Sequence, residues 1–462
     1  MPRTLDVDYL VVGAGAMGMA FTDALVDHAP AARVALIDRR HGAGGHWLEA
    51  YPFVRLHQAS ALYGVASTLL GGGRVQQQGP EAGLQERATK SEICAYYERI
   101  LAERLLESGR VEFFAGCEHL GDRTFVSRVS GERFTVAERC RVVDAHYLAP
   151  RVPAEMPPPF EVDDDARVIP VNELAHVDDA PSRYVIAGSG KTATDAIVWL
   201  LARGVAPDAI TWVRPRDPWM LNRAVVQPVP EVFLGFVADM MEAAEAATSL
   251  EDLFLRMEDA GIMLRVDRSV TPTMAKAPTL ALWELEQLRT IEHVVRRGHI
   301  RRVERGSIHF DDGSITIPSD ALVVHCAGEG LIYRPLVPVW SPGAMTLQPI
   351  RAGFPCFGAA IAGYVEATRS DDDEKNRLCP PSPYPDSMAS WARMTAVGTR
   401  NAGSFGSERD ISSWASTVAI NPARIPRDAP RSAVLDGTLE RLQKHSPGGA
   451  ARLAELSRLA PA

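Results

Sequence analysis

The feature that most constrains this chain is a glycine turn close to its N-terminus. Tyr9–Val12 is an apolar run of strand length, and residues 13–18 follow it at once with the sequence G-A-G-A-M-G. Apolar residues at helical spacing come next, and a second apolar run, Val34–Ile37, ends in Asp38. Strand, glycine turn, helix, strand and acid in this order predict a dinucleotide-binding βαβ unit.

Each part of this turn has a predicted task. Gly13 would make the tight turn, Gly15 would let the backbone approach a pyrophosphate, and Gly18 would let helix and strand pack closely. The helix N-terminus offers free N–H groups and the positive end of its dipole to the phosphates. Asp38, twenty residues after Gly18, would accept hydrogen bonds from ribose hydroxyls. We therefore predict a nucleotide site here.

A second glycine turn follows about 175 residues later. An apolar run over residues 183–187 leads into Gly188-Ser-Gly190-Lys191-Thr192 and an apolar helix. The next apolar run ends in Arg214-Pro-Arg216, so Arg214 stands where Asp38 stands in the first unit. An arginine at this place favours a 2′-phosphate, which its planar fork can hold. The second turn is therefore predicted to bind NADPH in preference to NADH.

The loop after Asp38 is rich in glycine and aromatic residues. Its sequence runs through Gly44-Gly45-His46-Trp47 to Tyr51-Pro52. Two adjacent glycines before a tryptophan indicate backbone packed under a flat group, with an aromatic wall beside it. A plain glycine-rich loop with a buried tryptophan is the alternative interpretation.

Composition limits the classes of function. The 462 residues, 46% of them hydrophobic and 23% charged, are typical of a soluble globular protein with two or three domains. The net charge of −9 argues against a nucleic-acid partner, and no apolar run reaches the roughly 20 residues of a membrane span. Six scattered cysteines, without C-x-x-C or metal-ligand spacing, predict reduced core thiols in a cytoplasmic protein and no metal site.

Two glycine turns far apart predict an α/β chain with two Rossmann-like dinucleotide-binding domains, one inserted in the other. The first domain would occupy residues 1–165 and return at 326–400, after a break of regular structure in the proline-rich stretch near 150–165. The second would occupy 166–325 and carry a helical insertion at about 217–300, with helices over 232–247, 250–260 and 280–297. Residues 401–462 would form a peripheral or dimer-clasping tail, and the oligomeric state stays open between monomer and homodimer.

These motifs together resemble the two-dinucleotide-binding flavoproteins. The chain is most similar to the flavin-containing, Baeyer–Villiger and N-hydroxylating monooxygenases. Both glycine turns, Asp38, Arg214 and the G-G-H-W loop with its Tyr-Pro carry the resemblance, which covers about residues 6–365. His325-Cys-Ala-Gly328 resembles the linker that returns from the second domain to the first.

The resemblance implies FAD on the first domain, NADPH on the second, and the flavin ring in the cleft between them. It implies an oxidoreductase, most simply a monooxygenase, that inserts one oxygen atom from O2 into a small organic substrate through a peroxyflavin. The residues expected at the cofactors are Gly13, Gly15, Gly18, Asp38, Arg39, Gly45, His46, Trp47, Gln58, Gly188, Gly190, Lys191, Thr192, Arg214, Arg216 and Gly328. His57 and Arg55 are the expected catalytic residues, His57 because a histidine titrates near working pH; a purely structural His57 is the alternative.

Other functions fit the same architecture. An FAD-dependent dehydrogenase or oxidase that desaturates its substrate would need no NADPH, and Arg214 argues against it. A thiol–disulfide reductase would need a close cysteine pair, which the sequence lacks. A noncatalytic flavin-binding sensor would tolerate degenerate glycine turns, whereas both turns are intact. No motif selects among amine, ketone and sulfur compounds as substrate.

Overall fold

Strands and helices alternate along most of the chain, and the computed structural model describes residues 2–326, 334–426, 428–429 and 432–459. Its helices are Ala16–His28 (α1), Lys90–Ile100 (α2), Lys191–Ala202 (α3), Pro230–Ala246 (α4), Leu250–Asp259 (α5), Leu282–Leu288 (α6), Pro355–Thr368 (α7), Asp372–Leu378 (α8), Met388–Ser407 (α9), Arg409–Ala415 (α10) and Ala433–Leu459 (α11). None of the helices in these ranges has the length and apolar character needed to cross a membrane.

The strands of the described ranges form five sheets. They are Arg3–Leu5 (β1), Tyr9–Val12 (β2), Val34–Asp38 (β3), Val111–Ala115 (β4), Cys117–His119 (β5), Thr124–Ser127 (β6), Arg133–Val136 (β7), Arg141–Asp144 (β8), Glu161–Val162 (β9), Val168–Pro170 (β10), Tyr184–Ala187 (β11), Ile210–Val213 (β12), Pro218–Asn222 (β13), Met263–Arg265 (β14), Met274–Leu280 (β15), Val294–Val295 (β16), Arg302–Glu304 (β17), Ser307–Phe310 (β18), Gly313–Thr316 (β19), Leu322–His325 (β20), Trp340–Ser341 (β21) and Ala344–Thr346 (β22).

The first βαβ unit forms a sheet with strand order β21-β22-β8-β2-β3-β4. All neighbours are parallel except β21 and β22, and α1 connects β2 to β3. Strand β3 is buried along its whole length, as expected for a sheet covered on both faces. The chain leaves this sheet after β8 and returns to it with β21 and β22.

The second βαβ unit forms a parallel sheet with strand order β10-β20-β11-β12-β16. Helix α3 connects β11 to β12, and both strands are fully buried. Along the chain, the strands of this sheet lie between β8 and β21 of the first sheet. The second unit is therefore inserted in the first. The predicted α/β class with two Rossmann-like units is confirmed, whereas the exact domain boundaries stay a prediction.

The insertion is less helical than predicted. The helices expected over 232–247 and 250–260 are present as α4 and α5. The prediction of a helix over 280–297 is wrong, because that stretch holds only the short helix α6 before the strand β16. Val294 and Val295 are β-branched, and pairing with β12 at the sheet edge overrides the helical pattern. Three strands of the insertion also form an unpredicted sheet with order β14-β13-β15.

The C-terminal tail packs against the insertion. Helix α11 lies along α4, and its Leu453 and Leu456 are buried in a hydrophobic core with Met241, Phe254 and other residues of α4 and α5. Gly449 makes this contact possible, because a Cβ there would lie 2.6 Å from the carbonyl oxygen of Met241.

We predict that Gly449→Leu separates α11 from α4. Overpacking against a fixed backbone costs about 1–3 kcal/mol, so the free energy of unfolding in urea should fall by that order. Gly437→Leu is the matched control, since a Cβ at this position of the same helix meets nothing within 4 Å. Equal stability of the two variants would contradict the packing described for α11.

Candidate functional site

The first glycine turn lies at the carboxyl edge of the first sheet, between β2 and α1. Gly13 has a φ of +107°, a conformation that favours glycine, and its N–H donates to the Ile37 carbonyl at 2.8 Å. A Cβ at Gly18 would lie 1.9 Å from the carbonyl oxygen of Gly13, so only glycine lets α1 begin this close to the turn. Gly15 is the N-cap of α1, and no side chain caps the helix. The first N–H groups of α1 are therefore available to an anion.

Asp38 ends β3 and is buried beside the turn. Its Oδ2 accepts a hydrogen bond from the Ala14 N–H at 2.7 Å, and its Oδ1 accepts one from the Arg40 N–H at 2.8 Å. These bonds hold the carboxylate in place, and each oxygen keeps acceptor capacity for a hydroxyl group. Arg39 is exposed and pairs with Glu155 at 2.7 Å, so its charge is already compensated.

The loop after Asp38 packs directly on the first turn. Gly44 has a φ of +120° and donates its N–H to the Ala14 carbonyl at 2.9 Å. Gly45 has a φ of +59°, and a Cβ there would lie 2.8 Å from the Cα of Gly15. We call the four residues Gly13, Gly15, Gly44 and Gly45 the glycine cradle, because they bring two stretches of bare backbone together.

Two aromatic residues follow the cradle. Trp47 is buried, and its Nε1 donates to the Tyr63 hydroxyl at 2.7 Å. His46 is half-buried, and burial together with the charge of Arg40 lowers its pKa to about 4. The imidazole of His46 is therefore neutral at neutral pH.

The second glycine turn leaves open space in front of its helix. Gly188 has a φ of +141°, and Gly190 is the N-cap of α3 without a capping side chain. A Cβ at Gly190 would meet no atom within 4 Å. Lys191 and Thr192 begin the helix, and the first N–H groups of α3 are left without a capping side chain.

Arg214 directly follows β12 and does not extend into solvent. Its guanidinium lies 4.6 Å from the ring centroid of Trp212 and pairs with Asp217 at 3.0 Å. Burial lowers the pKa of Arg214 to about 10, and its Nε and Nη1 have no hydrogen-bond partner. Arg216 is exposed and pairs with Asp386 at 3.2 Å.

A cavity of about 440 Å³ opens beside Arg214. Three further arginines line it together with two acids; the set is Arg268, Arg289, Arg296, Asp267 and Glu292. Arg296 also pairs with Asp217 at 2.9 Å. The four arginines of the lining outnumber its two acids, so this cavity is electropositive, which suits a phosphate.

One segment of the first unit, residues 45–58, contacts the helix that follows the second turn. The Tyr51 hydroxyl donates to Asp195 of α3 at 2.7 Å. The rings of Phe53 and Trp199, also on α3, are stacked with centroids 4.8 Å apart. This segment therefore connects the first glycine turn to the helix of the second.

The end of this segment holds the three remaining predicted residues. Arg55 is exposed and donates to the Arg87 carbonyl at 3.3 Å. His57 accepts a hydrogen bond at Nδ1 from the Thr279 N–H at 3.3 Å, which assigns the proton of a neutral ring to Nε2. Burial and the nearby cations lower the pKa of His57 to about 3. His57 does not titrate near working pH, in contrast to the expectation from its residue type, although a neutral ring still donates from Nε2. Gln58 is buried and donates to the Leu62 carbonyl.

A buried ion cluster lies next to His57. We use this name for Glu81, Arg87, Lys191, Arg223 and Glu284. Arg223 is fully buried and pairs with both carboxylates, with Glu284 at 2.7 Å. Arg87 pairs with Glu81 at 2.7 Å, and Lys191 lies 3.7 Å from Glu284.

The cluster joins the loop before α2 to the second glycine turn and to the insertion. Its members come from the loop before α2, from α3, from the residue after β13 and from α6. Although burial opposes ionisation, hydrogen bonding to Arg87 and the charge of Arg223 lower the pKa of Glu81 to about 2. Lys191, which the sequence assigns to a cofactor phosphate, also pairs with Asp195. No spacing in the sequence signals this cluster, because its members are far apart along the chain.

An apolar cavity of about 280 Å³ borders the same region. Gln58 and Thr279 line one part of it, and side chains of α4, α9 and the loop before α7 line the rest. The sequence pointed only to residues 217–300 as a place for substrate contacts and missed the contribution of α9.

The structure places most of the predicted residues at the two glycine turns. The first turn, Asp38, Gly45, His46 and Trp47 form one group, Gly188, Gly190, Lys191 and Thr192 form the other, and residues 45–58 connect the two. Arg39, Arg55 and Arg216 are on the surface. Gly328 lies outside the described residues. Whether these residues bind cofactors stays a prediction.

No family model matches the chain. It is 43% identical over 422 residues to the uncharacterized protein Rv2000 of Mycobacterium tuberculosis and, with the same values, to the uncharacterized protein Mb2023 of Mycobacterium bovis. These alignments cover 91% of this chain and 78% of each relative. Among solved structures, cyclohexanone-bound cyclohexanone monooxygenase in its rotated conformation matches with a TM-score of 0.53 and 15% identity. That match covers 87% of this chain and 97% of the other, and it confirms the monooxygenase-like fold.

We predict that Arg223→Met strongly destabilises the protein. It removes the partner of two buried carboxylates, and breaking a buried pair in this way costs about 3–5 kcal/mol. The free energy of unfolding in urea measures the loss. Arg256→Met is the control, because Arg256 is exposed and its pair with Asp252 is worth under about 1 kcal/mol. Similar losses of unfolding free energy in both variants would show that the ion cluster does not stabilise the fold.

We also predict a pH effect from His57. Its pKa is about 3 in the folded state and about 6.5 unfolded, so unfolding takes up a proton and stability falls as pH drops below 6.5. Between pH 7 and pH 5 this group alone should cost about 2 kcal/mol. His57→Asn should flatten the pH dependence of unfolding by that amount, whereas the variant of exposed His41, His41→Asn, should follow the wild type. An unchanged slope in His57→Asn would refute a buried neutral His57.

Proposed function

The chain belongs to one family with the mycobacterial proteins Rv2000 and Mb2023, and we propose that it is an FAD- and NADPH-dependent oxidoreductase. We further propose that it is a monooxygenase that transfers one oxygen atom from O2 to a small organic substrate. FAD would lie on the first unit, residues 1–165 and 326–400, and NADPH on the second, residues 166–325.

One observation carries the proposal: residues 45–58 connect the two glycine turns. Gly45 packs on Gly15 at the first turn, and Tyr51 donates to Asp195 in the helix of the second. Two dinucleotides bound at these turns would extend toward the same cleft, which is what hydride transfer between two cofactors requires.

The glycine cradle fits the pyrophosphate of FAD. Side chains are absent where Gly15 and Gly45 meet, and the uncapped start of α1 supplies N–H donors. Asp38 would accept from the ribose, while His46 and Trp47 would lie beside the bound group. Bound FAD would supply the chemistry that amino acids lack, by accepting a hydride and then reacting with O2.

The second turn fits NADPH in the same way. Open space at Gly190 and the uncapped start of α3 suit a pyrophosphate, with Lys191 and Thr192 nearest to it. Arg214, which borders the electropositive cavity, would hold the 2′-phosphate there. His57, neutral and hydrogen-bonded through Nδ1, would orient a donor N–H toward the cleft.

A flavin-dependent oxidase that does not use NADPH is the second candidate. The burial of Arg214 and its pair with Asp217 favour this function, because a guanidinium already paired gains less from a 2′-phosphate. The identity of the electron donor therefore separates the two candidates.

We predict that the purified protein carries FAD and that, without oxygen, NADPH reduces this flavin at least 10-fold faster than NADH. A bidentate bond to phosphate is worth about 1.5–3 kcal/mol, or about 10- to 100-fold. Arg214→Met should remove the preference by slowing reduction by NADPH alone, whereas Arg301→Met, at an exposed arginine paired with Asp311, should keep it.

Admission of oxygen then tests the monooxygenase itself. While NADP⁺ is bound, release of hydrogen peroxide should lag behind the consumption of O2, since a monooxygenase must retain the oxygen for its substrate. Peroxide released in step with O2 consumption would favour the oxidase. If NADPH does not reduce the bound FAD, the assignment of NADPH to the second turn is wrong. If the protein does not bind FAD, the proposal as a whole is wrong.

A further inference from the structure

The apolar cavity has one charged residue among its described lining residues, Arg351. The wall around it is made of large hydrophobic side chains, including Phe233, Met240, Trp391 and Met394. Two threonine hydroxyls of the lining already donate to carbonyl groups, that of Thr279 to His57 and that of Thr395 to Trp391. A guanidinium in such a setting is costly unless something compensates its charge.

Within the described residues, Arg351 has no ion pair and no side-chain hydrogen bond. Its Nε is buried without a partner. Burial lowers the pKa of Arg351 to about 10, and no carboxylate of the described residues opposes that effect. The group therefore remains a cation at neutral pH. Its guanidinium lies 5.7 Å from the ring centroid of Phe357.

The backbone that carries Arg351 is held firmly. Asn401 of α9 donates its Nδ2 to the carbonyls of Ile350 and Pro380, at 2.9 and 2.7 Å. Gly398 of the same helix packs against the next residue, Ala352, so closely that a Cβ would lie 2.5 Å from the Ala352 Cβ. Arg351 therefore has a fixed origin at the cavity wall and needs no loop movement to meet a ligand.

We propose that this cavity binds the substrate and that the substrate is a small carboxylate with an apolar body, its carboxylate paired with Arg351. The inference rests on the proposed function, because it names the substrate class of that site. A guanidinium and a carboxylate match in charge and in planar geometry. A phosphate fits less well, since a single arginine in an apolar wall cannot balance two charges.

The size of the cavity limits the apolar body. At about 30 Å³ for each water-sized group, the volume of about 280 Å³ holds roughly nine or ten non-hydrogen atoms. Octanoate has this size, and octanamide is its neutral counterpart with the same chain. The pair therefore isolates the contribution of the carboxylate charge.

The test measures binding of octanoate and octanamide to the full-length protein with its cofactor as purified, by calorimetry without NADPH. We expect octanoate to bind at least 10-fold tighter than octanamide. Arg351→Met should abolish this preference by weakening octanoate alone, and Arg351→Lys should retain part of it. Arg400→Met is the matched control, because Arg400 is exposed on α9 outside the cavity, and it should bind both ligands as the wild type does. Ala402→Phe should weaken both ligands equally by filling the cavity.

Two results would overturn the inference: the wild type would bind both ligands equally, or Arg351→Met would keep the preference for octanoate. If Arg351→Met also loses bound flavin in the second case, the guanidinium serves the cofactor and not a substrate.

Reduction by NADPH is measured separately, so the two proposals fail independently. Binding of octanoate through Arg351 in a protein that NADPH cannot reduce would support the anion site and remove the NADPH assignment. Normal reduction in a protein indifferent to the carboxylate would keep the redox function and overturn this inference.

Discussion

The buried ion cluster around Arg223 is the interaction on which the arrangement of the site depends. Arg223 stands fully buried between Glu81 of the first unit and Glu284 of the insertion. Lys191, at the start of the helix after the second turn, lies 3.7 Å from Glu284. Such a cluster contributes less to stability than to geometry, since desolvation of each charge offsets much of the attraction. Its effect here is to hold three separate parts of the chain in one relative position.

The cluster also determines the character of the residues around it. Burial, together with the cations of the cluster, lowers the pKa of His57 and keeps its imidazole neutral. The backbone carbonyl of His57 accepts from the Arg223 Nε at 2.8 Å. Thr279 of β15 bonds to the same residue and also lines the apolar cavity. The ion cluster and the wall of the apolar cavity therefore meet at Thr279.

Sequence reasoning succeeded where the determining contacts are local. The turn at Gly13, the close packing at Gly18 and the acid at Asp38 all depend on residues within one βαβ unit, and glycine is required there by φ values and by contact distances. It failed over 280–297, where β16 pairs with β12 across the sheet. It also assumed an ordinary pKa for His57, because the three cations that lower this pKa come from distant segments.

The sequence by itself determined the two βαβ units, their order along the chain and the residues that stand at each glycine turn. Periodicity and glycine spacing encode these features because each is complete within a few tens of residues. Only the tertiary structure decided that Gly45 rests on Gly15, that Arg214 is buried against Trp212, and that Arg351 lines an apolar cavity as a cation with no ion pair among the described residues. Burial and pairing are properties of surroundings assembled from the whole chain, and a linear pattern does not specify which side chains will meet.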